Sequence, residues 1–216
     1  MKHPPSYDVR MGEEGTGLAR SGWATQARDF IPASHHGLPM LRLYLPFRDP
    51  TLDDGNDIVR WSQYVAVEDH SASLDWFEAT AGIAEEQPSV RGLVSCMGEL
   101  DEETANALRD AIGVVELQCL RWMGYAEAPH TSSPRRVFGE EYFEARLNPD
   151  DVRAGRRVPE FAWDAERRLA WGARLYPDSL IVAAELPIFR QLINDPRIVT
   201  ASVRADRDDL PPSAGD

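Results

Sequence analysis

The chain concentrates its ionisable side chains between residues 49 and 110, where fifteen Asp and Glu residues accompany three arginines and leave a net charge of −12. The formal charge of all 216 residues is only −13. A field localised in this way can steer and hold a cationic partner, whereas evenly spread charge mainly serves solubility. The sequence therefore predicts an interaction module whose acidic face, within 49–110, docks a basic protein.

Two predicted helices must position these carboxylates. The first covers residues 72–86, with Trp76, Phe77 and Ile83 on its apolar side. The second begins at Asp101, a favourable N-cap residue, and ends at Gly113. The carboxylates expected on the solvent sides, and assigned to partner binding, are Asp75, Glu78, Glu85, Glu86, Glu102, Glu103 and Asp110. If both helices pack on the same face of one sheet, these side chains form a continuous patch; a solvated face without a partner explains the same charge.

A thiol site is the second hypothesis. Cys96 ends a predicted strand just before Gly98 and a helix. A thiolate at this point needs a base, for which His70 and His130 are the candidates, and an orienting carboxylate. The chain has no Gly-x-Ser-x-Gly elbow around Cys96 and no phosphate-binding glycine loop. No catalytic residue is therefore assigned, and an enzyme of unrecognised type built on Cys96 with His70 or His130 stands as the alternative.

Neither a metal nor a cofactor is expected. The histidines and cysteines lack the short spacings of structural zinc sites, such as Cys-x₂-Cys or His-x₃-His. The adjacent His35 and His36 would diverge on any regular element, although a loop could bring them together. The acidic balance, with a pI near 4.8, argues against direct nucleic-acid binding. Mimicry of a nucleic acid by the acidic face is a third hypothesis.

Hydrophobic periodicity predicts an α+β fold. Strands are expected at 38–47, 58–67, 90–97 and 114–122, so that residues 58–122 form a β-α-β-α-β unit with the two helices. Residues 137–147 fit either a strand or a short helix. The pattern then predicts a hairpin (161–163 with 169–175), a strand (179–184), a helix (187–194) and a strand (198–204). This order implies a mixed or antiparallel sheet with helices packed mainly on one face.

Composition divides the chain into three parts. Residues 1–37 are rich in Gly, Pro, Ser and charge, which predicts an irregular arm anchored by Trp23, Phe30 and Ile31. Residues 38–204 form a single α+β domain, or two subdomains at 38–130 and 131–204, and residues 205–216 form a flexible tail. The two separated cysteines resemble buried thiols. Without a secretory signal or an apolar run of membrane-spanning length, the expected location is cytoplasmic, with no membrane contact.

The carboxy-terminal part, residues 157–204, carries a family resemblance. It contains WDAERRLAW at 163–171, DSLIVA at 178–183 and LINDPR at 192–197. Together these stretches resemble the closing module of small uncharacterised actinobacterial proteins, some of which look like immunity proteins. The resemblance implies an immunity or antitoxin-type inhibitor of a basic toxin, and it brings no binding residue with it.

Overall fold

Eleven strands and two helices are described by the computed structural model, which covers residues 18, 26–52, 58–64, 71, 73–74, 92–113, 115–125 and 134–208. The strands are β1 (Met40–Tyr44), β2 (Phe47–Arg48), β3 (Ile58–Val59), β4 (Val94–Ser95), β5 (Leu117–Trp122), β6 (Arg135–Val137), β7 (Glu140–Leu147), β8 (Phe161–Trp163), β9 (Leu169–Gly172), β10 (Ser179–Ala184) and β11 (Val199–Val203). The helices are α1 (Glu102–Ile112) and α2 (Leu186–Ile193). Within these residues every strand pair is antiparallel, and the class is α+β.

The larger sheet has eight strands in the order β11-β1-β10-β9-β8-β5-β7-β6. Its β8–β9 hairpin, predicted from the sequence, is organised by Asp164, whose carboxylate accepts the backbone N–H groups of Arg168 (2.8 Å) and Leu169 (3.0 Å). The second strand of this hairpin ends at Gly172 rather than at 175. Because β1 lies between β10 and β11, the sheet takes strands from both 38–130 and 131–204.

The sequence pattern at residues 137–147 fits either a strand or a short helix. In the structure these residues form most of the β6–β7 hairpin. Phe138 and Gly139 connect the two strands with φ values of +50° and +89°. Two successive positive φ values are typical of the tight turns whose twist matches that of paired strands. The eight-residue β7 then pairs with β5 from Leu117↔Leu147 to Trp122↔Tyr142.

Pro46 separates β1 from β2, because a proline has no N–H group to donate to a sheet ladder. The chain leaves the large sheet at this point, and β2 becomes the central strand of a small sheet with β3 and β4 at its sides. The predicted β-α-β-α-β unit across 58–122 therefore does not form one sheet. Its strands β3 and β4 belong to the small sheet, whereas β5 belongs to the large one.

The predicted strand at 58–67 also ends early, at Val59. A 3₁₀ turn at Trp61–Gln63 follows it and buries the Trp61 side chain. The indole N–H donates to the Leu45 carbonyl (2.9 Å), and the ring packs against those of Tyr44 and Phe47. Burial of this large ring favours the 3₁₀ turn over a continued strand. Residues 65–67 of the predicted strand lie outside the described part of the chain.

Both described helices contribute to one core cluster of the large sheet. The strands supply alternate side chains from one face of the sheet, as their period of two requires. The buried members include Leu41, Leu43, Leu180 and Val182 from the strands, Ala105, Leu108 and Ile112 from α1, and Leu192 from α2. Residues 75–86 of the other predicted helix lie outside the described residues, so the packing of helices mainly on one face stays a prediction.

The opposite face of the sheet is covered by residues of the N-terminal arm. Leu18, Ala27, Phe30 and Ile31 join a second core cluster with sheet residues such as Met40 and Phe161. Phe30 and Ile31 are thus buried as two of the expected anchors, while Trp23 lies outside the described residues. The arm approaches the sheet closely at Gly172, where a Cβ atom would lie 1.8 Å from the Phe30 carbonyl oxygen.

Gly172→Ala should therefore separate the arm from β9 and lower the free energy of unfolding by about 2 kcal/mol, the usual effect of inserting a methyl group into a packed interior. Urea denaturation followed by tryptophan fluorescence measures the effect. Gly37→Ala is the matched control, because no atom lies within 4 Å of the position that its Cβ would take. Equal stability of the two variants would contradict the close approach of the arm.

Candidate functional site

Helix α1 is built by local signals in the sequence. Asp101 has an extended backbone, and its carboxylate accepts the backbone N–H (2.7 Å) and the hydroxyl (2.9 Å) of Thr104. Glu102 and Glu103 follow in the first turn, where the helix dipole favours negative charge. Gly113, with φ +65°, ends the helix. The predicted start and end of this helix are confirmed.

Three of the seven carboxylates assigned to partner binding lie in the described part of the chain. Glu102, Glu103 and Asp110 are exposed on α1, whose other side is buried in the core. The remaining four, Asp75, Glu78, Glu85 and Glu86, lie outside the described residues. The continuity of the acidic patch across two helices therefore stays a prediction.

Arg60 neutralises the start of α1. One of its terminal nitrogens lies 3.0 and 3.2 Å from the two carboxylate oxygens of Asp101 and 2.8 Å from Glu103. The other terminal nitrogen donates to the backbone carbonyl of Arg197 (2.6 Å). Arg60 thus links the small sheet, the helix and the segment before β11. The sequence contains no local signal for this contact, because Arg60 and Asp101 are 41 positions apart.

Arg197 also neutralises carboxylates, near the end of α1. Its guanidinium lies 2.8 Å from Asp110 and 2.7 Å from Asp195. The hydrogen bonds from Arg197 hold the pKa of Asp195 below its usual range. Of the three described carboxylates, Glu102 is the one without an ion pair to any residue that the structure describes. It therefore presents the least compensated negative charge on α1.

An open groove of about 460 Å³ runs past the first turn of α1. Arg48, Arg60, Ala154 and Gly155 are among the residues that line it. The carboxylates of Asp101, Glu102 and Glu103 also line it. Arg48 is held at the rim by Glu99 (2.9 Å). The groove can accept a polar or cationic side chain from outside, with carboxylate oxygens as acceptors.

The thiol of Cys96, which directly follows β4, is buried. Burial raises its pKa to about 12, which outweighs the opposing effect of the nearby Arg48. His70 and His130, the two candidate bases, lie outside the described residues. A thiol in this environment is protonated at neutral pH, so Cys96 does not have the lowered pKa of an activated nucleophile.

Thiol reagents should accordingly react slowly with the folded protein at pH 7.5. Cys119 is also buried, and burial raises its pKa to about 11. We expect both thiols to react at least about 100-fold more slowly than in the unfolded chain. A colorimetric disulfide reagent, used with and without denaturant, measures both rates. Rapid labelling of folded protein, lost in Cys96→Ser, would support the thiol hypothesis instead.

His35 and His36 have different hydrogen-bond partners. Ser34, His35 and Asp164 form a hydrogen-bonded line that the sequence did not indicate. The Ser34 hydroxyl lies 2.9 Å from Nδ1 of His35, and Nε2 lies 3.3 Å from Asp164. Burial favours a higher pKa for Asp164, but the backbone donors of Leu169 and Arg168 hold the pKa below its usual range. In the tautomer with its proton on Nε2, His35 donates to the ionised Asp164 and its Nδ1 accepts from the Ser34 hydroxyl. The line joins the N-terminal arm to the β8–β9 turn.

Nε2 of His36 instead lies 2.7 Å from the carbonyl of Ile31. The two adjacent histidines therefore do not converge on one point. In the described part of the chain, no group of three or more His, Cys, Asp or Glu side chains is arranged to hold a metal ion.

A second missed feature is a cluster of three aromatic rings and one arginine. Trp122, Tyr125 and Tyr176 meet edge to face, with ring centroids 5.2 to 6.0 Å apart. The guanidinium of Arg157 lies over the rings of Tyr125 (4.5 Å) and Tyr176 (5.5 Å). We call these four residues the aromatic cluster. They come from three distant segments, at 122–125, 157 and 176, so periodicity along the chain does not indicate the cluster.

Glu160 is a buried residue that accepts hydrogen bonds from two members of the aromatic cluster. It is 0% exposed, and its carboxylate accepts the backbone N–H of Trp122 (3.0 Å) and the hydroxyl of Tyr125. Burial raises the pKa of Glu160, although both hydrogen bonds oppose the shift. Burial, together with Glu160, also raises the pKa of Tyr125. A buried carboxylate thus orients one edge of the cluster.

Comparison with other proteins does not assign the chain to a family. Among the described residues, no helix has both the length and the apolar character needed to cross a membrane. No protein-family model, curated protein or solved structure matches the chain.

Proposed function

We propose that the protein is an interaction module that docks a basic protein through the acidic face within residues 49–110. The proposal is supported above all by the exposure of Glu102, Glu103 and Asp110 on a helix whose other side is buried. This helix closes a stretch with a net charge of −12. Side chains placed in this way can meet a partner without any change in the core.

The chemistry of docking is that of carboxylates facing guanidinium and ammonium groups. A carboxylate accepts two parallel hydrogen bonds from an arginine, and a concentrated negative field raises the rate of encounter. Arg60 and Arg197 already satisfy part of the charge of Glu103 and Asp110. Glu102 therefore contributes most among the described carboxylates, together with the four that the sequence assigns to 75–86.

The partner class that we propose is a basic toxin, which makes this protein an immunity or antitoxin-type inhibitor. This finer proposal is supported by the resemblance of residues 157–204 and by the acidic face. An inhibitor of this kind needs no catalytic residue, because it acts by covering a basic surface of its target. Complementary charge provides both fast association and selection against acidic proteins.

The test uses two variants with the same change in net charge. Glu78→Lys, Glu85→Lys and Glu102→Lys together reverse charge on the acidic face. Glu116→Lys, Asp150→Lys and Glu166→Lys reverse exposed carboxylates outside it. Each purified chain is used to capture partners from the native host at low and at high salt, and the captured protein is then titrated directly.

We expect the wild type and the second variant to bind the same basic protein, with affinity that falls steeply as salt rises. The first variant should lose this binding. Salt-independent binding, or equal loss in both variants, would refute docking through the acidic face. Displacement of the captured protein by duplex DNA would favour nucleic-acid mimicry as the mode of docking.

A further inference from the structure

Two exposed apolar side chains, Met97 and Tyr176, project from neighbouring loops. They are 46% and 41% exposed, and both have left-handed backbone conformations, with φ +49° and +52°. Such conformations cost free energy in residues other than glycine, and they concentrate in turns and at functional sites. A hydrogen bond from the Gly98 N–H to the Pro177 carbonyl (3.0 Å) joins the two loops. The fold thus sustains local strain where it presents these two side chains.

Met97 and Tyr176 together are called the apolar centre. The aromatic cluster forms a rigid base for this apolar centre. Tyr176 belongs to the cluster itself, between Trp122 and Arg157. Met, Tyr, Trp and Arg are the residue types enriched at the centres of protein interfaces. Because the rings already contact one another, little side-chain freedom remains to be lost when a partner covers them. The residue types and their rigidity both fit a binding surface for another protein.

Two segments that carry opposite charges adjoin the loop of Met97. Backbone hydrogen bonds from Val158 to Gly98 (3.0 Å) and from Gly155 to Leu100 (2.9 Å) pack the turn at 153–156 against the start of α1. The turn carries the exposed Arg153, and α1 begins with the exposed Glu102. Such a surface is complementary to itself under a two-fold rotation whose axis runs between the two charges, because Arg153 of each copy then faces Glu102 of the other.

We propose that this surface, which we call the 97/176 surface, binds a second copy of the chain in a symmetric dimer. Met97 and Tyr176 of the two protomers pack against each other near the two-fold axis. The turn of one protomer, with Arg153, faces Glu102 of the other protomer. In the purified chain, the neighbouring Arg153 and Glu102 favour a second copy as the occupant of this surface. Because both proposed interfaces use Glu102, dimer formation and docking of a basic protein at Glu102 exclude each other, and the dimer is tested on the purified chain alone.

The first test removes the apolar centre without changing its backbone. Met97→Asn and Tyr176→Asn are combined, since asparagine tolerates left-handed φ values better than most residues. Leu52→Asn with Leu186→Asn is the matched control, because both leucines are 49% exposed elsewhere on the surface. Sedimentation equilibrium over a wide concentration range gives the dimer dissociation constant of each variant. Circular dichroism verifies that each variant is folded.

We expect the wild type and the leucine control to be dimers with similar dissociation constants. The Met97/Tyr176 variant should have a dissociation constant raised by about tenfold or more, as for the loss of central interface side chains. A wild type that stays monomeric at all concentrations would overturn the proposal. A dimer weakened by the leucine control, but not by the Met97/Tyr176 variant, would overturn it as well.

The second test exchanges the flanking charges. Glu102→Arg and Arg153→Glu are made separately, and each should weaken its own homodimer because like charges then face each other. An equimolar mixture of the two variants should form a heterodimer more readily than either forms a homodimer. Native mass spectrometry distinguishes the three species by mass. A purely statistical mixture of species would exclude the facing of Arg153 and Glu102 across the dimer.

Discussion

Arg42→Met is expected to lower the free energy of unfolding by about 3–5 kcal/mol, the range measured when one partner of a buried ion pair is removed. Arg42 is 0% exposed in the middle of β1. Its guanidinium donates to the Ser179 hydroxyl (2.8 Å) and the Leu74 carbonyl (2.7 Å), and it lies 3.4 Å from Asp178. Without Arg42 the Asp178 charge remains buried just before β10. Urea denaturation followed by tryptophan fluorescence measures the loss.

A double variant separates the effect of charge from that of packing. Arg42→Met with Asp178→Asn removes both charges, so it should be more stable than Arg42→Met alone. Arg190→Met, in an exposed position of α2, should change stability by less than about 0.5 kcal/mol. A small effect at Arg42, similar to that at Arg190, would show that the buried pair does not contribute as its geometry requires.

Glu160→Gln is expected to remove a pH dependence of stability that Glu160 creates. The pKa of Glu160 is raised in the folded protein above its ordinary value of 4.5, chiefly by burial. Between these two pKa values the folded state binds more protons than the unfolded chain, so stability falls as pH rises. The full contribution is present below pH 4.5 and is lost above the raised pKa. Denaturation curves measured from acid to neutral pH should show a shallower fall for Glu160→Gln.

Glutamine can keep both contacts of Glu160, since its oxygen accepts from the Trp122 N–H and its amide N–H can donate to the Tyr125 hydroxyl. Glu160→Ala removes both partners and should lower stability by about 2 kcal/mol at acid pH. Glu166→Gln, at an exposed carboxylate, is the control that should leave the pH profile unchanged. Identical pH profiles for wild type and Glu160→Gln would contradict a raised pKa at Glu160.

Elements whose signals lie within one short stretch could be predicted from the sequence. Asp101 and Gly113 define the two ends of α1, and Asp164 organises the β8–β9 turn from inside it. The small sheet was missed because Pro46 redirects the chain and because both neighbours of β2 lie farther along the sequence. Period-2 alternation at 58–67 indicated a strand, but burial of Trp61 in a 3₁₀ turn ends it.

The sequence predicted which carboxylates of α1 are exposed, but it did not predict which of them are neutralised by arginines. The sequence identified the exposed carboxylates of α1 correctly as a helical face. It could not show that Arg60 and Arg197 neutralise Glu103 and Asp110, because Arg197 and Asp110 are 87 positions apart. The aromatic cluster escaped prediction for the same reason. Side-chain contacts between distant segments depend on strand order, which local periodicity does not encode.

The placement of β1 between β10 and β11 has a consequence for folding during synthesis. Both strand neighbours of β1 begin at or after Ser179, so β1 leaves the ribosome long before either exists. Until then, its backbone donors and its apolar Leu41 and Leu43 stay available to other chains. Closure of the large sheet is therefore a late event that joins β1 to β10 and β11. Nascent chains that end before residue 199 lack the final partner of β1 and should depend most on chaperones.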